Sequence, residues 1–432
     1  MITLGSNQNK KLTKIDALIV VVLIIIAGVV LTKAGFINLP GIEEPEPTEP
    51  EEPEPIPPIP TPPTSIASEY AGFLRAVSPE DEGSHYNKLL IGREWWYYGA
   101  ILNGEDSELK DWTVSISFNH MAAGDLIGTL KPDVLVLTLN GPNGEEYGGI
   151  INKERGLGII SQPTLQAKTP GVSLKYEKSW AEGLMPEWHV HAEDDDIDKN
   201  HDIIVDLHYF SSSDPLWTIG ERALQKSESL IASYMFFGCE VTGTIEIDGR
   251  IYVVEGTGHH EHSWSPGVVT RGLISGWDWC HISFDNGWNL YFTNYYPTPQ
   301  YLSTKISKSN PLATLVLTTD KGTTFTVLEE IEFQITKSDE RIFPFVTMPA
   351  EFSLNAKPSI LQPFLTPYKI ELELGIAAKN TCEKVWKVPT YMGMKVGMSS
   401  IDGTISWTDT KEGNQEVELI GIGTIWSMRA LL

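Results

Sequence analysis

His259-His260-Glu261-His262-Ser263-Trp264 is followed twelve residues later by Gly276-Trp277-Asp278-Trp279. Together these stretches supply three imidazoles, two carboxylates and three indoles, the groups needed to move a proton inside an apolar, aromatic-lined pocket. Side chains alternate along a strand, so His259 and Glu261 share one face while His260 and His262 share the other. A carboxyl that points into a barrel among indoles and phenols is desolvated and keeps its proton near neutrality. Such an acid can protonate an isolated carbon-carbon double bond. Ring faces such as Trp96, Trp264 or Trp279 then stabilise the carbocation, each by ~1–2 kcal/mol where water is excluded. Water oriented by His262 or Asp278 completes a hydration, whereas loss of a proton from carbon gives an isomerisation or cyclisation. Glu261, His262 and Asp278 are therefore the candidate catalytic residues. Trp96, Tyr98, His260, Trp264, Trp277 and Trp279 are the candidate substrate-binding residues. The chemistry requires no cofactor.

The same residues admit plainer roles. Trp95, Trp96, Trp277 and Trp279 at strand starts suit a packed core. Glu94 and Asp278 suit buried acceptors that tie strand ends together, and His259 and His260 suit a barrel rim. His189-Val190-His191 and His260-Glu261-His262, on adjacent strands, would make a zinc site with Glu187 or Glu261. Spacing is the whole support for that site, and no metal is expected. Asp194-Asp195-Asp196-Ile197-Asp198 lacks the glycine and terminal glutamate of a calcium loop and reads as a solvated turn. Cys239, Cys280 and Cys382 are odd in number. A bridge between Cys239 and Cys280 is open to a chain outside the cytoplasm, and buried free thiols are the simpler reading. No nucleophile elbow, P-loop or dinucleotide fingerprint occurs, which argues against a serine hydrolase, a nucleotide enzyme or a Rossmann oxidoreductase.

Strands must position these residues. Period-two runs recur from about Ser65 onward, as in 112–118, 133–139 and 202–208. Asn140-Gly141, Asn143-Gly144, Asp248-Gly249, Asn286-Gly287 and Asp402-Gly403 supply hairpin signals. After the N-terminal region no helical stripe of ten residues stands out, Gly220 to Ala232 reading as a short helix or loop. An internal repeat adds detail. Glu94-Trp95-Trp96-Tyr97-Tyr98 matches Gly276-Trp277-Asp278-Trp279-Cys280, and Gly243-Thr244-Ile245 leading to Gly256-Thr257-Gly258 matches Gly403-Thr404-Ile405 leading to Gly421-Ile422-Gly423. Two copies of one β unit follow, with a boundary near residue 270. Each has enough strands to close on itself and hide its edges. Where the first copy has His259-His260-Glu261-His262, the second has Thr424-Ile425-Trp426-Ser427. The chemistry thus lies on the first copy and its junction with the second.

Glu94-Trp95-Trp96-Tyr97, Gly256-x-Gly258-His259-His260-Glu261-His262-Ser263-Trp264 and Gly276-Trp277-Asp278-Trp279 resemble, in order over residues 70–432, the landmarks of the hydroxyneurosporene synthase (carotenoid 1,2-hydratase, CrtC) and AttH group. The resemblance implies tandem lipocalin-like barrels and, for some members, hydratase or cyclase activity. The group's middle landmark commonly reads Asp-His-Asn-Trp or Asp-His-Glu-Trp, so Glu261, His262 and Trp264 fall on its Asp, His and Trp. Glu replaces the Asp, and Ser263 the Asn or Glu.

The rest of the chain sets a setting. The net charge is -25, with no basic cluster beyond the first fourteen residues, so the chain cannot neutralise phosphates and nucleic-acid binding is not expected. Ala17 to Leu31 is an apolar run of fifteen residues, preceded by Lys10, Lys11 and Lys14 and followed by Lys33. That charge order suits a signal-anchor with its N-terminus inside. The helix reaches Leu39 if Lys33 snorkels, and Pro40 ends it. A cleaved signal peptide, processed near Ala34-Gly35, is the competing reading. Residues 40–64 hold eleven prolines and seven glutamates and read as an extended spacer.

The sequence therefore predicts an all-β protein of two tandem lipocalin-like antiparallel β-barrels, preceded by an N-terminal membrane-anchor helix and a Pro/Glu-rich linker. The divisions are 1–39 (anchor helix about 15–39), 40–64, 65–270 and 271–432. It is expected to be single-pass in the cell membrane with its β domains extracytoplasmic. Its expected partner is a hydrophobic small molecule, an isoprenoid or another lipid. It is either a hydro-lyase or cyclase acting on that molecule, or a lipocalin-like carrier that turns nothing over.

Overall fold

The computed structural model describes residues 59–61, 76–86, 93–104, 108–120, 133–151, 164–194, 201–213, 215–219, 232–265, 274–297, 313–320, 326–328, 330–343, 346–357, 372–380, 386–388, 392–409 and 412–430. The anchor helix, most of the Pro/Glu-rich linker, most of the Gly220–Ala232 segment, the acidic run after Asp194 and Cys382 lie outside these residues. Among the described residues no helix is long and apolar enough to cross a membrane.

The strands form two antiparallel sheets. The first, of twelve strands, contains β1 (Arg93–Gly104), β2 (Trp112–His120), β3 (Val134–Asn140), β4 (Glu146–Ile151), β5 (Gln166–Ala167), β6 (Val172–Tyr176), β7 (Ser179–Leu184), β8 (Glu187–Asp194), β9 (Ile203–Phe210), β10 (Leu216–Ile219), β11 (Ala232–Ile247) and β12 (Arg250–Ser265). Its order is β4-β3-β2-β1-β12-β11-β9-β8-β7-β6-β5, with β10 attached to β11. The second, of ten, contains β13 (Ile274–Phe284), β14 (Asn289–Pro297), β15 (Ala313–Thr318), β16 (Thr326–Leu328), β17 (Glu330–Phe343), β18 (Val346–Lys357), β19 (Leu372–Asn380), β20 (Trp386–Val388), β21 (Met392–Asp409) and β22 (Gly413–Ala430). Its order is β16-β15-β14-β13-β22-β21-β19-β18-β17, with β20 on β21. The two orders have the same plan: the first strand pairs with the last, and the last with the long strand before it.

The repeat also holds at the level of single residues. Tyr97 pairs with Glu261 across β1 and β12, and Trp279 pairs with Trp426 across β13 and β22. With those pairs aligned, Trp96 corresponds to Asp278, His262 to Ser427 and Trp264 to Arg429. The sequence match is therefore a match of hydrogen-bonded register.

The first sheet curls until its edges meet. The Tyr176 hydroxyl, on β6, donates to the carbonyls of Ile151 (3.1 Å) and Asp133 (3.3 Å), at the opposite edge. Inside lie Trp96, Trp188, Trp217 and Trp264, each at most 1% exposed. An indole removes on the order of 200 Å² from water, roughly 5 kcal/mol of gross hydrophobic stabilisation. The second sheet holds its own core, including Ile282, Phe292, Leu354 and Ile405. A third apolar cluster joins the two sheets: Tyr97, Val136, Met235 and Phe237 from the first meet Trp279, Tyr291, Val396, Trp426 and Met428 from the second. This layer is called the seam below.

Two hairpin signals came out differently. Asp248 (φ 53°) and Gly249 (φ 80°) make the tight turn from β11 to β12, whose left-handed backbone an Asp-Gly pair accommodates. That turn sets the register of β11 against β12 as far as Cys239 and Gly258, and a bulge between Phe236 and Cys239 shifts it before the His260–Trp264 stretch. Asp402-Gly403, in contrast, lies inside β21, paired on both sides. Ile401, Ile405 and Trp407 continue to face the core through it, so apolar alternation overrides the turn signal.

Among the described residues, one helix, α1 (Pro79–Glu82), precedes β1. It begins with a capping box in which the Asp81 amide donates to Ser78 Oγ and the Ser78 amide to Asp81 Oδ2. Periodicity could not reveal a helix of four residues.

Candidate functional site

The alternation along β12 distributes the sequence-predicted residues among three compartments. Trp96, Tyr98 and Trp264 belong to the core of the first sheet, with His260 and His262 stacked on Tyr98 and Trp96 there. Glu261 faces the other way, into the seam, with Trp277 and Trp279. Asp278 turns into the second sheet, beside Arg429 and Tyr296. Glu261 thus points out of the first barrel toward the second, at the junction where the repeat placed the chemistry. The structure does not bring His262 or Asp278 to Glu261, because adjacent residues on a strand cannot share a face.

Glu261 sits in a cleft lined by Trp95, Tyr97, Asn119, Trp277, Trp279, Thr293, Tyr295, Met394 and Trp426, with Arg93 also on its wall. The cleft holds about 620 Å³ of empty space counting its solvent mouth, with a water-sized cavity of about 50 Å³ within it. The enclosed figure is the one comparable with ligand cavities, and it lies well below the size class of small-molecule sites, so a substrate would also occupy the open mouth. Glu261 is 5% exposed. Burial raises its pKa to about 7, because a charged carboxylate loses its hydration there. The opposing contributions are smaller: Ser233 Oγ donates to Oε1 at 3.2 Å, and the Trp95 and Trp279 indoles bear on the carboxyl. Tyr97, its partner across the strands, has its hydroxyl engaged by Ser115 Oγ at 2.7 Å.

His259 completes this face. Its ring lies 4.1 Å from that of His281 and 5.2 Å from Trp279, centre to centre. Among the described residues neither ring nitrogen has a hydrogen-bond partner, and burial drives its pKa well down, so it is a neutral imidazole. A Cβ on Gly99 would overlap this ring, so glycine there makes its position available. His259 is no rim residue; it is fully buried.

Inside the first sheet, α1 and the segment after it form a polar plug. Glu94 Oε1 accepts from the His85 amide (2.7 Å) and lies 3.2 Å from His85 Nδ1 and 3.0 Å from His262 Nε2. Ser84 Oγ donates to its Oε2 at 3.2 Å. Burial works to raise the Glu94 pKa, but these hydrogen bonds outweigh it and hold the carboxyl near about 2. His262 Nδ1 lies 2.9 Å from the Asp81 carbonyl and 3.3 Å from the Tyr234 hydroxyl, and its ring stacks on Trp96. His85 stacks on Trp264 at 3.8 Å. Deeper in, Glu82 accepts from Trp188 Nε1 (2.9 Å) and the Met185 amide (3.0 Å), and burial raises its pKa to about 7. His85, Glu94 and His262 could hold a cation by their spacing, yet Glu94 is already met by several donors, so the trio serves as the fastening of the plug. Glu94 thus has the structural role that sequence allowed it.

Asp278 is the corresponding fastening of the second sheet. Arg429 Nη2 donates to both of its oxygens (3.0 and 2.9 Å), and the Tyr296 hydroxyl donates to Oδ2. Arg429 also lies over the Tyr296 ring at 4.4 Å. Cys239 and Cys280 are buried free thiols in separate cores, which excludes a bridge between them.

The alternative of a zinc site shared by His189-Val190-His191 and His260-Glu261-His262 fails, because β9 and β11 separate β8 from β12. Sequence reasoning also missed Glu82 and His85, and the second-sheet wall of the cleft: Thr293, Tyr295, Met394 and Trp426. Trp426 was within reach, since the repeat aligns it with Glu261.

No family model matches the sequence, and no curated protein matches it. Solved structures do. The chain is similar to a protein described as a putative AttH from Nitrosomonas europaea, at 15% identity and a TM-score of 0.51, over 82% of this chain and 96% of that one. It is also similar to kievitone hydratase from Nectria haematococca, at 10% identity and a TM-score of 0.53, over 82% and 94% respectively. The chain shares their fold, the tandem lipocalin-like β architecture that its motifs resemble.

Proposed function

We propose that this chain is an acid catalyst whose working group is Glu261 and whose substrate is an apolar molecule bearing a carbon-carbon double bond, held in the seam. The carrying observation is a carboxyl whose pKa is raised to about 7 by burial in a cleft walled by indoles. In the hydration, the π electrons take the Glu261 proton to form a new C–H bond and leave a cation on the other carbon. The faces of Trp95, Trp277, Trp279 and Trp426 are placed around the cleft to stabilise that cation. Water then forms the C–O bond and returns a proton to the Glu261 carboxylate, so the acid is regenerated. Attack by a second double bond, forming a C–C bond and a new cation, followed by return of a proton from the adjacent carbon to the Glu261 carboxylate, would give cyclisation instead. That one structure of the same fold is a hydratase by name supports the first route.

The N-terminal apolar run and Pro/Glu spacer support a tethered, extracytoplasmic placement of residues 65–432, with access to isoprenoid or other lipid substrates. Incubating the full chain with isoprenoid alkenes in ¹⁸O-water tests the reading. The expected result is product carrying ¹⁸O, or a cyclic isomer, with formation lost in Glu261→Gln. Ligand binding with no product in either protein would instead identify a carrier.

A further inference from the structure

On the outer surface of the first sheet, far along the strand order from the seam, three imidazoles converge on one carboxylate. His189 and His191 project from β8, and Asp206 and His208 from β9. Register explains the meeting: His189 pairs with His208, and His191 with Asp206, so two cross-strand rows stack on the solvent face. His189 Nε2 lies 2.7 Å from Asp206 Oδ1, and the His189 and His208 rings stack at 3.8 Å. One donor atom from each of His189, Asp206 and His208 lies within 4.8 Å of the others.

We propose that His189, Asp206 and His208 form a surface site for a divalent transition metal of the zinc type. Bonds of about 2.0–2.1 Å to nitrogen and oxygen suit a three-residue set with its last position open. Small side-chain rotations would draw these atoms onto one ion, which would replace the proton now shared by His189 and Asp206. Imidazoles select a zinc-like or copper-like ion over magnesium or calcium.

The surroundings are those of a built site rather than a chance surface pair. Asp206 Oδ2 is held by His191 Nδ1 at 2.8 Å, leaving Oδ1 for the ion. His191 Nε2 in turn lies 3.2 Å from Glu193 Oε1, and Lys178 Nζ lies 3.2 Å from Glu193 Oε2. Trp180 packs against both His189 and His191. Such an outer chain orients a ligating carboxylate. Beside the site is a depression of about 590 Å³ whose lining includes Glu182, Glu187 and Glu240 along with His189 and His208. These carboxylates favour cation entry, and Glu182, cross-strand from His189, is placed to compete with water for the open position.

The test is titration of tag-free, metal-stripped full chain with zinc chloride against a colorimetric chelator. One equivalent bound with micromolar or tighter affinity is expected, with magnesium chloride failing to compete. His189→Ala and His208→Ala should each weaken binding at least tenfold, while His201→Ala, on the Asp248 side chain (2.7 Å) outside the cluster, should leave it unchanged. Absence of stoichiometric binding in the unaltered protein would overturn the proposal. So would zinc binding that survives His189→Ala/His208→Ala, including binding that is then lost in His85→Ala and hence belongs to the plug. Circular dichroism of each variant separates ligand loss from unfolding.

Discussion

Glu261 and Trp426 occupy the same register position in the two repeats and line the same cleft from opposite sheets. Duplication of one β unit thus placed an acid on one wall and an indole on the other. The indole helps keep water from the carboxyl, and the carboxyl is the ionisable group that this apolar wall acts on. Loss of bulk at Trp426 should therefore act through Glu261. Trp426→Ala is expected to lower the pH at which activity falls, as water reaches the carboxyl, and a pH-rate profile reads that shift.

Turnover requires the proton on Glu261. Activity should be level below pH 7 and fall about tenfold per unit above the pKa of about 7. Glu261→Gln should lose roughly 10²- to 10⁴-fold in kcat with ligand affinity retained, as measured by product formation and by binding of the same alkene.

The same carboxyl weakens the fold at high pH. Its pKa is raised from 4.5 unfolded to about 7 folded, so stability is fully present below the unfolded value and is lost as pH rises through the folded one. The difference amounts to on the order of 3 kcal/mol. Glu261→Gln should therefore gain stability relative to the unaltered protein between pH 4 and pH 8, read from urea midpoints at each pH.

Glu94 acts in the opposite direction. Its pKa is depressed from 4.5 to about 2, so its contribution is present above the unfolded value and is lost as pH falls toward 2. Glu94→Gln should cost about 1.5–3 kcal/mol near neutrality, because the amide offers one neutral acceptor oxygen to donors that now share two charged ones. The gap from the unaltered protein should narrow in acid, as chemical denaturation across that range would show.

Much of this was legible in the residues. The β class, the two copies and the correspondence of position 426 to position 261 followed from alternation and from the matched Gly-x-Gly ends, although not that Trp426 lines the cleft. Alternation also separated Glu261 from His262. What it could not say is which face was the seam, because β2 is buried at every position and β12 is buried on both faces from His259 to Ser265. With apolar surroundings on both sides, polarity no longer marks the interior. The plug was hidden for a different reason: α1 is one turn long, and His85 reaches Glu94 through a tertiary contact that no local spacing records.

Asp278 belongs to folding rather than to chemistry. Asp278→Asn leaves Arg429 buried without its carboxylate, which costs about 3–5 kcal/mol. Folded molecules of that variant should keep near-normal turnover. A large loss of kcat with unchanged thermal stability would return Asp278 to the catalytic set.

The central claim is that Glu261 holds its proton near neutrality in the seam. Infrared difference spectroscopy of the carboxyl C=O band, recorded from pH 5 to pH 9 on the unaltered protein and on Glu261→Gln and Glu82→Gln, measures this directly. A band that titrates near pH 7 and disappears in Glu261→Gln but not in Glu82→Gln is the predicted result. A Glu261 carboxyl that ionises near 4.5 would contradict it.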